Sequence, residues 1–61
     1  MKIITKRYGK YYLLALKDNS GYYHNIIDDN LVSHKIDLAA NLYYKSQVES
    51  WKKILRSEGH K

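Results

Sequence analysis

Few side chains in this sequence could take part in catalysis or metal binding, and their spacing is not typical of a catalytic or metal site. The histidines are His24, His34 and His60, and no two of them have a spacing typical of a metal site. His24 and His34 could form a metal site with Asp28 or Asp29, because these segments are close in sequence. The chain contains no cysteine, however, so we expect no structural or catalytic metal.

The remaining polar pairs favour turns over catalysis. Asp28-Asp29 precedes Asn30, and Asp and Asn are common in turns, so we interpret the acidic pair as part of a turn and not as an acid/base pair. Ser33 and His34 are neighbours, and neighbours in a strand point to opposite faces, which excludes a nucleophile and its base. The sequence therefore predicts a protein that is not an enzyme and that has no cofactor.

Tyrosine usage is the distinctive feature of the composition. The chain has seven tyrosines and no phenylalanine. In a strand, one member of an adjacent tyrosine pair faces the core and the other faces solvent. Exposed tyrosines beside lysines suit both protein interfaces and stacking on unpaired bases. Alternatively, tyrosine only replaces phenylalanine in the core, with its hydroxyl reaching the surface. The three pairs are Tyr11-Tyr12, Tyr22-Tyr23 and Tyr43-Tyr44.

The candidate contact residues combine such tyrosines with nearby cations. Which tyrosine of each pair points outward depends on strand register, since a slip of one residue reverses it. We expect binding through the sheet at Lys6, Arg7, Tyr11 and Tyr22, with a second patch on the helix at Lys52 and Arg56.

Charge and length limit the class of protein. The 61 residues carry a net charge of +5, and the basic residues concentrate near the two ends around an acidic centre. The ends could form one basic face if they meet in space, or the lysines could only keep a small domain soluble. The longest apolar run, Tyr11–Leu16, is far shorter than the roughly 20 residues of a membrane span. With no cysteine and no signal-peptide pattern, we expect a cytoplasmic location and no membrane association.

Hydrophobic patterning predicts a single small α+β domain. A three-stranded antiparallel meander is expected at about residues 2–7, 11–16 and 22–27, with a tight turn at Gly9. The second strand is apolar on both faces, which predicts a central position in the sheet. No pattern assigns residues 31–36.

Two helices are expected after the meander. A short helix over about residues 38–43 would be capped by Asp37, and a C-terminal amphipathic helix over about 47–57 would begin with a Ser46–Glu49 capping box. Trp51 lies on the apolar stripe of the second helix. We therefore expect this helix to pack on one face of the sheet.

The second half of the chain has a pattern of core, cap and aromatic positions at Ile36-Asp37, Ala39-Ala40, Tyr43, Ser46, Glu49, Trp51 and Ile54-Leu55. Together with the preceding meander, which is rich in Lys, Ile, Asn and Tyr, this pattern resembles small, mostly uncharacterised phage and prophage proteins of low-GC Gram-positive bacteria. The resemblance covers most of the chain. The chain departs from their pattern at Gln47 and Val48, where acidic residues are usual. The resemblance implies an accessory protein of the host cytoplasm that acts by stoichiometric binding, either as a modulator or inhibitor of a host protein or on a phage regulatory step.

Two functional hypotheses therefore stay open. The first is a host-protein modulator or inhibitor that binds through exposed tyrosines. The second is a small basic nucleic-acid-binding module for DNA or RNA, favoured by the lysines beside aromatic rings and opposed by the acidic centre. A homodimer formed through an exposed strand edge is compatible with both.

Overall fold

A tight hairpin begins the chain. In the computed structural model, which describes residues 1–61, β1 (Lys2–Tyr8) and β2 (Tyr11–Lys17) pair antiparallel. Their two-residue loop has Gly9 at φ 64°, whereas Lys10, like every other non-glycine residue, has a negative φ. A positive φ at the first loop residue alone is the pattern of a type II′ turn, whose twist matches that of the strands. The predicted hairpin is confirmed.

β2 is the centre of the sheet. β1 pairs with one of its edges along the whole strand. The other edge is shared, because β3 (Tyr23–His24) pairs with the end of β2 and β5 (Asn41–Tyr43) pairs with its first half. β4 (Val32–Ser33) pairs antiparallel with β3 and extends the sheet.

The third predicted strand, residues 22–27, is mostly wrong, because only Tyr23–His24 is a strand. The side chain of Asn25 ends it: its Oδ1 accepts the backbone N–H groups of Ile27 and Asp28, at 2.9 Å each. The chain therefore turns where the pattern predicted extension. β4 lies in the stretch that the sequence left unassigned, so the sheet has more strands than the predicted meander.

The first predicted helix, residues 38–43, is also wrong. A single helical turn, α1 (Ile36–Ala39), lies earlier, and the following residues form β5. Asp37 is in the first turn of α1 and does not cap it; the N-cap position is Lys35, without a side-chain hydrogen bond. A strand forms here because β5 pairs with backbone groups of β2 that would otherwise be buried without partners.

The C-terminal helix is confirmed, with a different beginning. α2 (Lys45–Ser57) begins two residues before the predicted range, with Tyr44 at the N-cap position. The Oε1 atom of Gln47 accepts the N–H of Tyr44 at 2.8 Å. The predicted Ser46–Glu49 capping box is therefore wrong, since Ser46 lies inside the helix and Gln47 makes the reach-back hydrogen bond.

Both faces of β2 are covered, which explains its apolar character on both sides. On one face α2 packs over a cluster that Trp51 joins as a partly buried neighbour. On the other face the single turn of α1 brings Ile36 against Leu13 and Ala15. The prediction of a helix on one face is thus incomplete. The larger cluster consists of Leu14, Leu16, Tyr43, Val48 and Leu55.

Candidate interaction surface

Three tyrosines form a row across the hairpin end of the sheet. Tyr8 is paired directly with Tyr11, and the β2–β5 register, extended one step beyond Tyr12 and Tyr43, sets Tyr11 opposite Tyr44. Directly paired residues point to the same face. The rings of Tyr11 and Tyr44 are tilted against each other, with centroids 5.2 Å apart. All three tyrosines therefore lie on the face that α1 covers, beyond the end of that short helix.

The next row along the sheet continues the apolar surface. Here Lys6, Leu13 and Leu42 are paired across β1, β2 and β5. Leu13 is buried, whereas Leu42 is 50% exposed. An open cavity of about 390 Å³ lies between the rows and α1, lined by Tyr8, Leu13, Asp37, Ala40, Asn41 and Leu42.

We call Tyr8, Tyr11, Leu42 and Tyr44 the tyrosine surface. Tyr8 is 55% exposed and Tyr44 is 57% exposed, although buried tyrosine and leucine positions exist elsewhere in the fold. Large apolar side chains grouped in this way on a small chain are typical of an interaction site. The single turn of α1 is too short to cover them.

Two lysines border the tyrosine surface. The Nζ atom of Lys10 lies 5.6 Å from the ring centroid of Tyr11, within the range of a cation–π contact. Lys6 forms an ion pair with Asp37, with Nζ and Oδ1 3.5 Å apart and both side chains more than half exposed. An exposed pair of this kind contributes little stability and exchanges readily with another partner. The border of the surface is therefore basic, with one carboxylate.

Of the contact residues predicted on the sheet, the structure brings only Lys6 and Tyr11 together. Arg7 points to the opposite face, level with Tyr12, and its Nε donates to the carbonyl oxygen of Gly9 at 3.0 Å. Tyr22 is exposed but lies by the other end of β2. At a rise of roughly 3.3 Å per strand residue, that is about 20 Å from Tyr11.

The predicted second patch is separate from this surface. Lys52 is partly buried and Arg56 is exposed on α2, which packs on the opposite face of the sheet. The two residues are one helical turn apart and share a face of the helix. Nothing in the fold joins them to Lys6 or Tyr11.

Tyr8 and Leu42 are not among the contact residues predicted from the sequence, and Tyr44 is indicated there only as a member of a tyrosine pair. A signal for Tyr8 existed, because a two-residue turn at Gly9 sets Tyr8 directly opposite Tyr11. Leu42 was hidden by its assignment to a helix.

A second polar cluster organises the turn between β2 and β3. Asp18 Oδ1 accepts the N–H groups of Ser20 and Tyr22 at 2.9 and 3.0 Å, and its Oδ2 lies 2.7 Å from His24 Nε2. The hydrogen bond from His24, followed by those from the backbone, holds the pKa of the Asp18 carboxyl below its usual value of 3.8. Ser20 and Tyr22 take part through their backbone N–H groups, as residues of a turn do, so we assign the cluster to the turn.

The histidines do not converge. His34 is exposed in the loop after β4, and His60 Nδ1 lies 3.0 Å from the amino group of Met1. No three or more His, Asp or Glu side chains come together in a way that could hold a metal ion. Neither helix has the length and apolar character needed to cross a membrane.

Comparisons with protein-family models, with curated proteins and with solved structures find no match for this chain. A functional assignment therefore depends on the residues and geometry of the chain itself.

Proposed function

We propose that this chain is a small non-catalytic binding protein whose tyrosine surface docks on a partner protein. The observation that carries the proposal is the exposure, by half or more, of Tyr8, Leu42 and Tyr44 at one end of one sheet face. Tyrosine contributes a large, amphipathic contact area with few rotatable bonds, so little conformational entropy is lost on binding. Such residues are frequent binding hot spots.

The border of the surface indicates the chemistry of the partner. Lys6 and Lys10 outnumber Asp37, so the matching surface would be an apolar pocket with an acidic rim. The resemblance of most of the chain to phage and prophage accessory proteins adds a biological setting. In that setting the partner is a host protein in the cytoplasm, and the chain modulates or inhibits it by occupying its surface.

The test is a capture experiment with matched variants. The tagged chain, a Tyr8→Ser/Tyr44→Ser chain and a Tyr22→Ser control are each incubated with nuclease-treated lysate of a low-GC Gram-positive bacterium. Tyr22 is also exposed but lies at the opposite end of β2, so its substitution should leave the tyrosine surface unchanged.

We expect one discrete protein to be retained by the natural chain and by the control, and to be lost with the double variant. Calorimetry with that purified protein should then show an affinity at least tenfold weaker for the double variant, or about 1.4 kcal/mol. Equal affinity for the double variant and the control would contradict the proposal.

Nucleic-acid binding is the second candidate, favoured by the position of Lys10 beside the ring of Tyr11. A base can stack on such a ring while the ammonium group contacts a phosphate. The test is fluorescence anisotropy with labelled single strands of about ten nucleotides. Affinity should fall steeply between about 50 and 200 mM salt, because phosphate binding releases counterions. Absence of salt-dependent binding would exclude this candidate.

A further inference from the structure

The outer edge of β1 is a free strand edge seven residues long. β1 is the end strand of the sheet and pairs only with β2. Because a two-residue hairpin loop is closed by a hydrogen-bonded pair, Tyr8 and Tyr11 exchange backbone hydrogen bonds. The alternation that follows directs the N–H and C=O groups of Ile3, Thr5 and Arg7 away from β2. These groups make no backbone hydrogen bond in any turn, loop or cap.

The charges of β1 indicate what can pair with this edge. Its charged side chains are Lys2, Lys6 and Arg7, with no acidic residue among them. Pairing with a second copy of β1 would bring only basic charges together across the new edge, which is unfavourable. An extended segment with carboxylates would instead find cations on both faces of the strand.

We propose that β1 binds an extended acidic segment of a partner protein as an additional strand. Such strand addition obtains affinity from main-chain hydrogen bonds and specificity from alternate side chains. The inference rests on the proposed function, in that the chain works by binding a protein, and it adds a second contact next to the tyrosine surface.

The alternation of β1 specifies the segment further. Lys2 and Lys6 point to the same face as Tyr8, whereas Ile3 and Thr5 point to the face of α2. A complementary strand therefore places acidic side chains beside the two lysines and apolar ones beside Ile3. Lys6 is available because its ion pair with Asp37 is exposed.

The first experiment uses two capped heptapeptides, one alternating valine with glutamate and one alternating valine with lysine. Amide hydrogen exchange of the natural chain is followed by NMR. The glutamate peptide should slow exchange at Ile3, Thr5 and Arg7 but change it little at Ile4 and Lys6, whose N–H groups already bond to β2. It should also bind at least tenfold more tightly than the lysine peptide. Protection without this alternation, or equal affinity for the two peptides, would overturn the inference.

A synthetic chain with an N-methyl group on the backbone nitrogen of Thr5 gives a second readout. It removes one outward N–H and blocks the edge while every side chain stays. With an unchanged circular dichroism spectrum, it should bind the glutamate peptide at least tenfold less tightly. Unchanged binding would overturn strand addition. If the methylated chain does not fold, the hydrogen-exchange pattern of the natural chain is the test of the inference.

A Tyr44→Ser chain separates this inference from the proposed function. Tyr44 lies outside β1, so this chain should bind the glutamate peptide as the natural chain does. Loss of the captured partner with peptide binding intact supports strand addition as a separate contact. Loss of peptide binding in this variant would mean that the peptide occupies the tyrosine surface, and would overturn the inference.

Discussion

The side-chain amide of Asn25 donates a hydrogen bond of 2.7 Å to the backbone carbonyl oxygen of Ala39, the last residue of α1. Asn25 is the only buried polar residue, and its Oδ1 also accepts two backbone N–H groups of its own loop. One side chain thus ends β3, shapes the loop toward β4 and holds α1 in place. Because α1 borders the cavity beside the tyrosine surface, this hydrogen bond helps to fix the position of one wall of the proposed site.

Replacing Asn25 with alanine should destabilise the fold by about 2 kcal/mol or more. The buried carbonyl of Ala39, left without a partner, costs about 1–3 kcal/mol, and the part-buried hydrogen bonds to the N–H groups of Ile27 and Asp28 are lost with it. Urea unfolding of Asn25→Ala beside Asn30→Ala, an exposed control in the same loop, measures the difference. Equal stability of the two variants would contradict the role assigned to Asn25.

Replacing Tyr43 with phenylalanine should leave stability unchanged or raise it by up to about 1 kcal/mol. Tyr43 is buried in the core under α2, and its hydroxyl has no hydrogen-bond partner, so its removal relieves a desolvation cost. Tyr43→Ala should instead lose about 3–5 kcal/mol, because it opens a cavity. Thermal and urea unfolding of both variants tests this, and a clear loss of stability in Tyr43→Phe would show that the hydroxyl is satisfied.

The contribution of Asp18 should disappear in acid. Its pKa in the folded chain is below the usual 3.8, so folding favours the ionised carboxyl. The resulting stabilisation is complete above the unfolded pKa and is lost as the pH falls through the folded pKa. The stability difference between the natural chain and Asp18→Asn should therefore shrink below about pH 4. A difference that stays constant with pH would contradict this hydrogen-bonding role.

Replacing Gly9 with L-alanine should cost about 1–3 kcal/mol through backbone conformation alone, because the first loop position of a type II′ turn needs a positive φ that is favourable for glycine and not for L-residues. Gly9 has φ 64°, and an added Cβ would meet no atom within 4 Å, so no clash contributes. A synthetic chain with D-alanine at this position should be at least as stable as the natural one, since a D-residue prefers positive φ. Equal melting temperatures for the L- and D-alanine chains would refute the turn conformation.

The hairpin and the C-terminal helix could be predicted from the sequence, because their conformations depend mainly on residues that are close together in the chain. Gly9 between two segments with the composition of strands predicts the β1–β2 hairpin, and the spacing of Val48, Trp51 and Leu55 predicts α2. Both elements are present, as is the α+β class. Their conformations depend on neighbouring residues, and those are visible in the sequence.

Long-range contacts decided the rest. Residues 41–43 do not continue a helix, because they pair with the first half of β2 on the edge opposite β1. The hydrogen bond from Asn25 to Ala39 joins residues 14 positions apart in the chain. The tyrosine surface also depends on long-range contacts. The sequence by itself determined that tyrosines and lysines would be abundant and adjacent. Only the tertiary structure placed Tyr8, Tyr11 and Tyr44 in one row and turned Arg7 away, because strand register and the position of α1 depend on the packing of the whole sheet.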